Sequence, residues 1–347
     1  MNDSDFNATI SPTTKTDIDD DNRPASGWSD RDSPFDNQVF IKLIFGLIAV
    51  TGIIGNFLVV FTVIRVPKFR TITNVFITSL ASCDFVSSVF ILVLHIGIEI
   101  PIPSGIGGKV MCALLLSKWP LWSSFIVSSL NLTCVTFERY FSICRPLQYN
   151  SFFTHQKAIL MSIGAWILGY LIKSYQTWVV KYDGTSCPVY WSSVAYKTSM
   201  GILNTFSLYV IPLTTMAITY GLIMKSLKQS AKSVSASSGK ASQASLELLK
   251  ARKKVIKMLV IVVFVFALCW APNQTIFMSY TFGVNVDFSS WYYHTSVIIA
   301  FCNSCLNPLI YAFKMKSYRK SLKIAICGAN FVGPSDDDTI ATVDVHD

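Results

Sequence analysis

Seven stretches of this sequence are each long and apolar enough to cross a lipid bilayer. They lie at roughly 39–64, 73–97, 110–142, 157–179, 199–224, 255–281 and 289–313, and each reaches the ~20 residues a spanning helix needs. Lipid supplies no hydrogen-bond partners, so an open strand could not survive there and each run must be helical. Composition agrees. Hydrophobic residues make up 52% of the 347 and charged residues only 14%, against roughly 25% in soluble chains. That balance excludes an ordinary cytosolic enzyme, a collagen, a disordered chain and a small disulfide scaffold. The expected fold class is an all-α membrane protein, a seven-transmembrane helix bundle. Segment three is the irregular one, because Lys118, Trp119 and Pro120 interrupt it. Lys118 either snorkels or faces a water-filled cavity, and Pro120 predicts a kink.

Charge sets the topology. Arg65, Lys68 and Arg70 follow segment one, and Arg139 and Arg145 follow segment three. Nine basic residues lie in 225–257 against Glu247 alone, and five more lie in 314–323. The opposite loops carry few. Basic flanks favour the cytoplasm, so the expected arrangement is a multi-pass plasma-membrane protein with its N-terminus outside and C-terminus inside. Basic residues that flank apolar runs point to a membrane surface rather than to nucleic acid. Residues 1–37, with nine aspartates, read as a disordered extracellular tail, and 38–313 as the transmembrane domain. No apolar stretch precedes residue 38, so no cleavable signal peptide is expected. Asn2 and Asn7 open glycosylation sequons in that tail. Residues 314–327 alternate basic and apolar positions as a helix lying on the inner leaflet would, ending at Cys327, a candidate for palmitoylation. Residues 328–347 form a cytoplasmic tail. The four histidines are scattered, and no metal site is expected from them.

Polar groups inside lipid are costly and are candidates for function. Asn56, Asp84, Ser128, Asn131, Asn303, Ser304 and Asn307 all fall within apolar runs. If they converge, Asp84 binds a sodium ion with Ser128, Asn303, Ser304 and Asn307 around it, or carries a proton instead. The plainer reading is that they join helix to helix. The residues leave these readings open. Glu138-Arg139-Tyr140 ends segment three, and Phe266, Trp270 and Pro272 sit in segment six. Pro212 lies in segment five eight residues before Tyr220. A proline removes one helical hydrogen bond, so these segments are plausible hinges.

Taken in order, these features resemble a known family. Gly55-Asn56, Leu80-Ala81-Ser82-Cys83-Asp84, Glu138-Arg139-Tyr140, Trp166, Pro212 with Tyr220, Phe266-x-x-Cys269-Trp270-x-Pro272 and Asn307-Pro308-x-x-Tyr311 look like the rhodopsin-like (class A) family of G-protein-coupled receptors. The likeness covers about 39–327. It implies a receptor, not an enzyme, that promotes nucleotide exchange on a heterotrimeric G protein. It implies that Arg139 engages the G protein, restrained by Glu138 beside Tyr140, and that Phe266, Trp270 and Pro272 couple pocket to hinge. Tyr220 and Tyr311, with Asn307 and Pro308, would rearrange around Arg139. Asp84 would anchor an allosteric sodium ion, with no other cofactor implied, and Cys112 and Cys187 would form the extracellular disulfide. Three positions depart from the family pattern. Glu138 stands where aspartate is usual. Cys112 lies two residues farther from Arg139 than is usual, which Pro120 is expected to absorb as a bulge. Arg252 stands where an acid often pairs with the arginine, which predicts elevated basal signalling.

The resemblance also bears on the ligand. Amine receptors carry an aspartate where this chain has Leu121, or Trp119 on the alternative register, and retinal proteins carry a lysine where it has Phe301. The expected pocket rim is Glu99, Lys118, Trp119, Leu121, Trp122, Lys173, Tyr175, Gln176, Lys197, Asn273, Gln274, Phe277, Tyr280 and His294. Rings, amides and charges of both signs look like the neuropeptide-receptor branch, so the expected ligand is an extracellular peptide. The alternatives are a small non-peptide ligand such as a lipid or nucleoside, or a membrane transporter. No internal repeat supports a transporter built of duplicated halves. Ser and Thr in 226–245 and 335–342 permit phosphorylation by a receptor kinase and arrestin recruitment.

Overall fold

The computed structural model describes residues 39–96, 101–236 and 240–328, with side chains left out at 234–244 and 248. Seven helices long and apolar enough to span a membrane make up most of it. They are α1 (Val39–Arg65), α2 (Ile72–His95), α3 (Ile106–Cys144), α4 (His155–Val179), α5 (Val194–Ser233), α6 (Ser245–Thr281) and α7 (Trp291–Lys314). The shortest has 24 residues, about 36 Å at 1.5 Å per residue, enough for a ~30 Å hydrocarbon core. A last helix, α8 (Lys316–Cys327), follows α7 after one residue. The expected bounds agree to within a few residues except in α5 and α6, whose helices run well past the apolar runs.

Caps mark several helix starts. Thr71, Thr154, Ser193 and Ser290 sit just before α2, α4, α5 and α7, and each side chain accepts a backbone N–H from the first turn. Such a cap contributes about 1 kcal/mol. Basic side chains close two inner ends. Arg70 donates to the Val63 and Ile64 carbonyls at the end of α1. Arg319 of α8 donates to Ala312 and Phe313 of α7, at 3.0 and 3.1 Å. These are the carbonyls a helix end leaves without partners.

The bundle is apolar outside, and its mainly apolar interior holds a set of buried polar side chains. Val39, Phe40, Leu43, Leu47, Ile54 and Phe57 lie exposed on the outer face of α1, and α4 shows Leu160, Ile163, Ile167 and Leu171 in the same way. An apolar face of that extent is stable only against lipid. Asn56, Asp84, Ser87, Ser88, Ser123, Ser128 and Asn131 are buried. α3 occupies the centre and packs against α2, α4 and α5, while α7 closes the ring between α1 and α6. Close helix contact needs small residues. A Cβ on Gly55 would lie 2.9 Å from the Pro308 ring across the α1–α7 seam. At the α3–α4 seam, a Cβ on Gly169 would lie 2.6 Å from Val127 Cγ2 and 3.1 Å from its backbone nitrogen. Trp166 Nε1 donates to Ser79 Oγ at 3.1 Å and ties α4 to α2.

Helix α3 is broken where the sequence is irregular, though not by a kink at Pro120. Residues Cys112–Leu116 form a wide π turn, and Lys118 adopts a left-handed conformation with φ 56°. A side-chain-bearing residue pays about 1–2 kcal/mol there. Ser117 steadies the break: its Oγ donates to Ala113 O at 2.6 Å and accepts Trp119 N–H at 3.2 Å. Pro120 then falls in the first turn of the resumed helix, where its missing N–H has no helical acceptor to serve. The irregularity is therefore upstream of the proline. A second π turn, Phe206–Val210, precedes Pro212 in α5 and relieves its ring from the preceding turn.

The tightness of the α3–α4 seam generates a stability prediction. Gly169→Ala drives a methyl into Val127, side chain and backbone, and overpacking of this kind costs about 1–3 kcal/mol. The purified variant melts several degrees below wild type in a thermal-shift assay. Unchanged melting would show that the seam is looser than described.

Candidate functional site

Three regions lie along the bundle axis: an outer cleft, a polar layer at mid-bundle and an ion pair at the inner end.

The cleft lies beneath the loop between α4 and α5. The Cys112–Cys187 disulfide, with Cα atoms 5.5 Å apart, pins that loop to the top of α3. The loop folds back through an antiparallel bridge between Val180 and Val189, with Tyr190 N–H donating to Val179 O at 2.7 Å and Lys181 N–H to Pro188 O at 3.1 Å. Its tip is an Asp183 turn. The Ser186 and Thr185 N–H groups donate to Asp183 Oδ1 at 2.7 and 2.9 Å. Those backbone N–H groups, Ser186 first, hold the Asp183 carboxyl well below the usual carboxylate range. Cys112, Tyr175, Val179, Val180 and Val189 pack into a small core under the loop.

Below it the cleft encloses about 670 Å³ between protein atoms, open solvent at its mouth included. Of the expected rim residues, Trp122, Lys173, Tyr175, Gln176, Asn273, Gln274 and Phe277 line it together. The others stand elsewhere. Trp119 turns to α4, donating its Nε1–H to Tyr170 O at 3.1 Å with its ring edge-on to Tyr170. Leu121 is buried in the main apolar core. Lys118 forms the break in α3. Lys197 lies over the Tyr280 ring at 3.7 Å, and Tyr280 meets Phe288 of the lining edge-on. His294 is buried with its ring 5.7 Å from that of Tyr293. Glu99 falls outside the described residues, as do Asn2 and Asn7.

Lys173 is the only charged side chain among the described lining residues. Its Nζ lies 5.4 Å from the Trp122 ring and 5.7 Å from the Tyr175 ring. Each contact of this kind contributes about 0.5–2 kcal/mol. The sequence reading missed Ser117, Trp191, Asn204 and Tyr293, which complete much of the lining.

Trp122 begins a column of rings that runs inward. Its ring lies 5.8 Å from Phe125, which meets Trp270 edge-on at 4.9 Å and stacks on Phe301 at 5.5 Å. Trp270 continues to Phe266 at 6.5 Å, and Phe266 to Tyr209 at 6.2 Å. Pro272 lies two residues from Trp270 inside α6, so the helix is locally freed where the rings meet. Phe125, at the centre of this column, carries no motif and was not singled out from sequence.

At mid-bundle, Asn307 Nδ2 donates to Asp84 Oδ2 at 2.9 Å, joining α7 to α2. Asn56 Nδ2 donates to Ser304 O at 2.8 Å, and the Ser87 and Ser304 hydroxyls lie 3.0 Å apart. Of the residues read from the sequence as a cluster, Asn56, Asp84, Ser304 and Asn307 are joined across helices, whereas Asn131 donates to Val127 O of its own helix at 2.9 Å. Asp84 Oδ1, Asn56 Oδ1, Ser128 Oγ and Asn303 Nδ2 keep no hydrogen-bond partner. Ser128 stands close enough to bear on the Asp84 charge without a bond of normal geometry. One carboxylate with a spare oxygen and neighbouring hydroxyls fits a small monovalent cation by donor type. Asp84 would carry the charge and Ser128 and Ser304 the neutral oxygens. Asn303 is buried nearby in α7.

At the inner end, Arg139 Nε lies 2.7 Å from Glu138 Oε2, and Glu138 is buried. The other carboxylate oxygen, Oε1, accepts the Tyr149 hydroxyl at 2.8 Å. Tyr149 belongs to a short helix, Pro146–Phe152, just past α3. Tyr220 of α5 approaches from the other side, its hydroxyl 3.5 Å from Thr136 Oγ1. Tyr140 rests edge-on against Phe141. Tyr311 is buried near Tyr318 of α8, ring centroids 6.5 Å apart. Arg252 is half-buried in α6, so the acid beside Arg139 comes from its own helix. Cys327, at the end of α8, is an exposed free thiol.

Comparison with known proteins agrees with this geometry. Residues 55–311 match the family described as "7 transmembrane receptor (rhodopsin family)". Somatostatin receptor type 4 of Rattus norvegicus is 26% identical over 298 residues, 84% of this chain and 73% of that protein. Galanin receptor 2a of Danio rerio is 30% identical over 294 residues, 82% of this chain and 77% of its own. Somatostatin receptor type 2 of Mus musculus is 26% identical over 331 residues, 90% and 84% of the two chains. The family match spans well over half of the sequence and includes every residue of the polar layer, the aromatic column and the inner ion pair: the chain belongs to the rhodopsin family of seven-transmembrane receptors.

Proposed function

We propose that this receptor binds an extracellular peptide in the cleft beneath the α4–α5 loop and, once occupied, promotes nucleotide exchange on a heterotrimeric G protein. The observation that carries this reading is the unbroken column of rings from Trp122 to Phe266, which begins at the cleft and ends where α6 meets Tyr209 of α5. A ligand pressing on Trp122 shifts Trp270, and α6 yields at Pro272. The Glu138–Arg139–Tyr149 cluster is the restraint that such a movement releases. A cleft of amides, rings and one lysine suits a peptide better than an amine or a lipid tail. The relatives named as somatostatin and galanin receptors support the same class.

In this reading residues 1–37 lie outside the plasma membrane, carrying glycans at Asn2 and Asn7, and the basic flanks and residues 328–347 face the cytosol. α8 lies on the inner leaflet, anchored through acylated Cys327. The Asp84 layer holds a sodium ion in the resting receptor. Receptor kinase and arrestin act on the Ser and Thr residues of 226–245 and 335–342.

Screening a peptide library against an amine and a lipid library, with G-protein nucleotide exchange as the readout, tests the ligand class. A peptide hit supports the reading, and hits confined to the other libraries overturn it. Arg139→Ala keeps surface expression but cuts agonist-driven exchange at least about tenfold; full signalling by this variant would contradict the role given to Arg139. Tyr149→Phe removes one hydrogen bond from the resting restraint, a net loss of about 0.5–1.5 kcal/mol. Basal exchange then rises about 2- to 10-fold, measured without ligand at matched expression, and an unchanged basal rate would show that Tyr149 restrains nothing.

A further inference from the structure

Lys173 is only 3% exposed at the outer end of α4. A lysine near a helix end ordinarily snorkels to water or headgroups. This one instead lies between the rings of Trp122 and Tyr175 and lines the cleft. Rings offer a π face but no negative charge. No carboxylate among the described residues stands within ion-pair distance of it. A buried ammonium without a counter-charge is one of the costlier things a folded chain can hold. The surrounding wall is unfinished in a matching way. Gln176 Oε1, Asn204 Oδ1 and Gln274 Oε1 are buried and accept no hydrogen bond. The cleft therefore presents one lysine without a counter-charge among acceptors that call for N–H donors. A carboxylate flanked by amide N–H groups meets both demands at once.

We infer that Lys173 is the counter-ion of the ligand, and that the activating peptide seats a carboxylate on its ammonium within the cleft. The inference deepens the peptide-receptor reading and rests on it. The carboxylate belongs to an aspartate or glutamate side chain or to a free C-terminus, and the amide groups beside it donate to Gln176, Asn204 and Gln274. The pair also has a mechanical position. Lys173 stands over Trp122, the outermost ring of the column to Trp270. Neutralising the ammonium therefore acts directly on the first ring of that column.

The test uses full-length, epitope-tagged receptor in cells and a positional-scanning peptide library. Every pool is made both as free acid and as C-terminal amide. Wild type, Lys173→Gln and Lys173→Arg are compared by nucleotide exchange and by surface epitope. Active wild-type pools are expected to share an Asp or Glu at one position or to require the free acid, which separates the two sources of the carboxylate. Replacing that carboxylate by its amide weakens the peptide about 100-fold on wild type. On Lys173→Gln the acidic peptide is already about 100-fold weaker, and the acid-to-amide change costs nothing further. Lys173→Arg keeps the preference for the acid. If Lys173→Gln fails to reach the surface, the acid-to-amide comparison on wild type and Lys173→Arg decides, and indifference to the carboxylate overturns the inference. An equal acid-to-amide penalty on wild type and Lys173→Gln overturns it too. Activation of wild type by the amine or lipid library but by no peptide pool defeats the peptide reading itself, and this inference with it.

Discussion

The hydrogen bond from Asn307 to Asp84 is the constraint on which the rest of the structure depends. Away from water, a carboxylate and an amide at 2.9 Å can scarcely separate, because each leaves a buried polar group exposed to hydrocarbon-like surroundings. The same layer brings in α1, through Asn56 and the Ser304 carbonyl, and joins α2 to α7 again through Ser87 and Ser304. Three helices that meet lipid with interchangeable apolar faces thereby acquire one register. Gly55 allows α1 to approach the Pro308 ring closely enough for those bonds to form. With the register of α7 fixed, Phe301 is placed against Phe125, and Tyr311 is buried at the inner end.

The interior then divides by chemistry. Above the polar layer the rings of α3, α6 and α7 interlock, and dispersion between large rigid side chains transmits displacement with little loss. Below it the restraint is electrostatic and local, with Arg139 held by the acid next to it in the chain and that acid held by Tyr149. In the proposed mechanism a movement that starts in packing ends in the release of a charge. The prolines of α5, α6 and α7 and the π turn before Pro212 place the weak points of the backbone beside these contacts rather than away from them.

Much of this was legible in the sequence, for identifiable reasons. A spanning helix requires a long apolar run, so the seven segments announce themselves. Within such runs Asp84, Asn56 and Asn307 stand out because lipid makes every polar residue an exception, and they converge as expected. Cys112 and Cys187, which the resemblance paired, are bonded. Phe125 stayed hidden because it is one of 24 phenylalanines, most of them in apolar surroundings where a ring is unremarked. Tyr149 lies eleven residues beyond its partner, across a turn that no helical spacing relates. The break in α3 was signalled by Lys118-Trp119-Pro120, but proline drew attention to the wrong bond, since a π turn has no sequence signature of its own. The missed cleft residues Trp191 and Tyr293 depend on where the disulfide places the α4–α5 loop and how α7 begins. A Cys-x-x-Cys spacing, Cys302 to Cys305, was overlooked in the sequence; it spans a single turn of α7, and both thiols are free.

The most direct measurement exchanges the two side chains of the central hydrogen bond. Asn307→Asp alone sets two carboxylates together and should lower surface expression and agonist-driven nucleotide exchange, whereas Asp84→Asn alone keeps an oxygen that accepts the same bond and should cost less. The double variant, with Asn at 84 and Asp at 307, restores the pairing in reverse, and it should recover most of both. If the double variant is no better than Asn307→Asp alone, the polar layer does not set the register of the bundle and the account built on it is wrong.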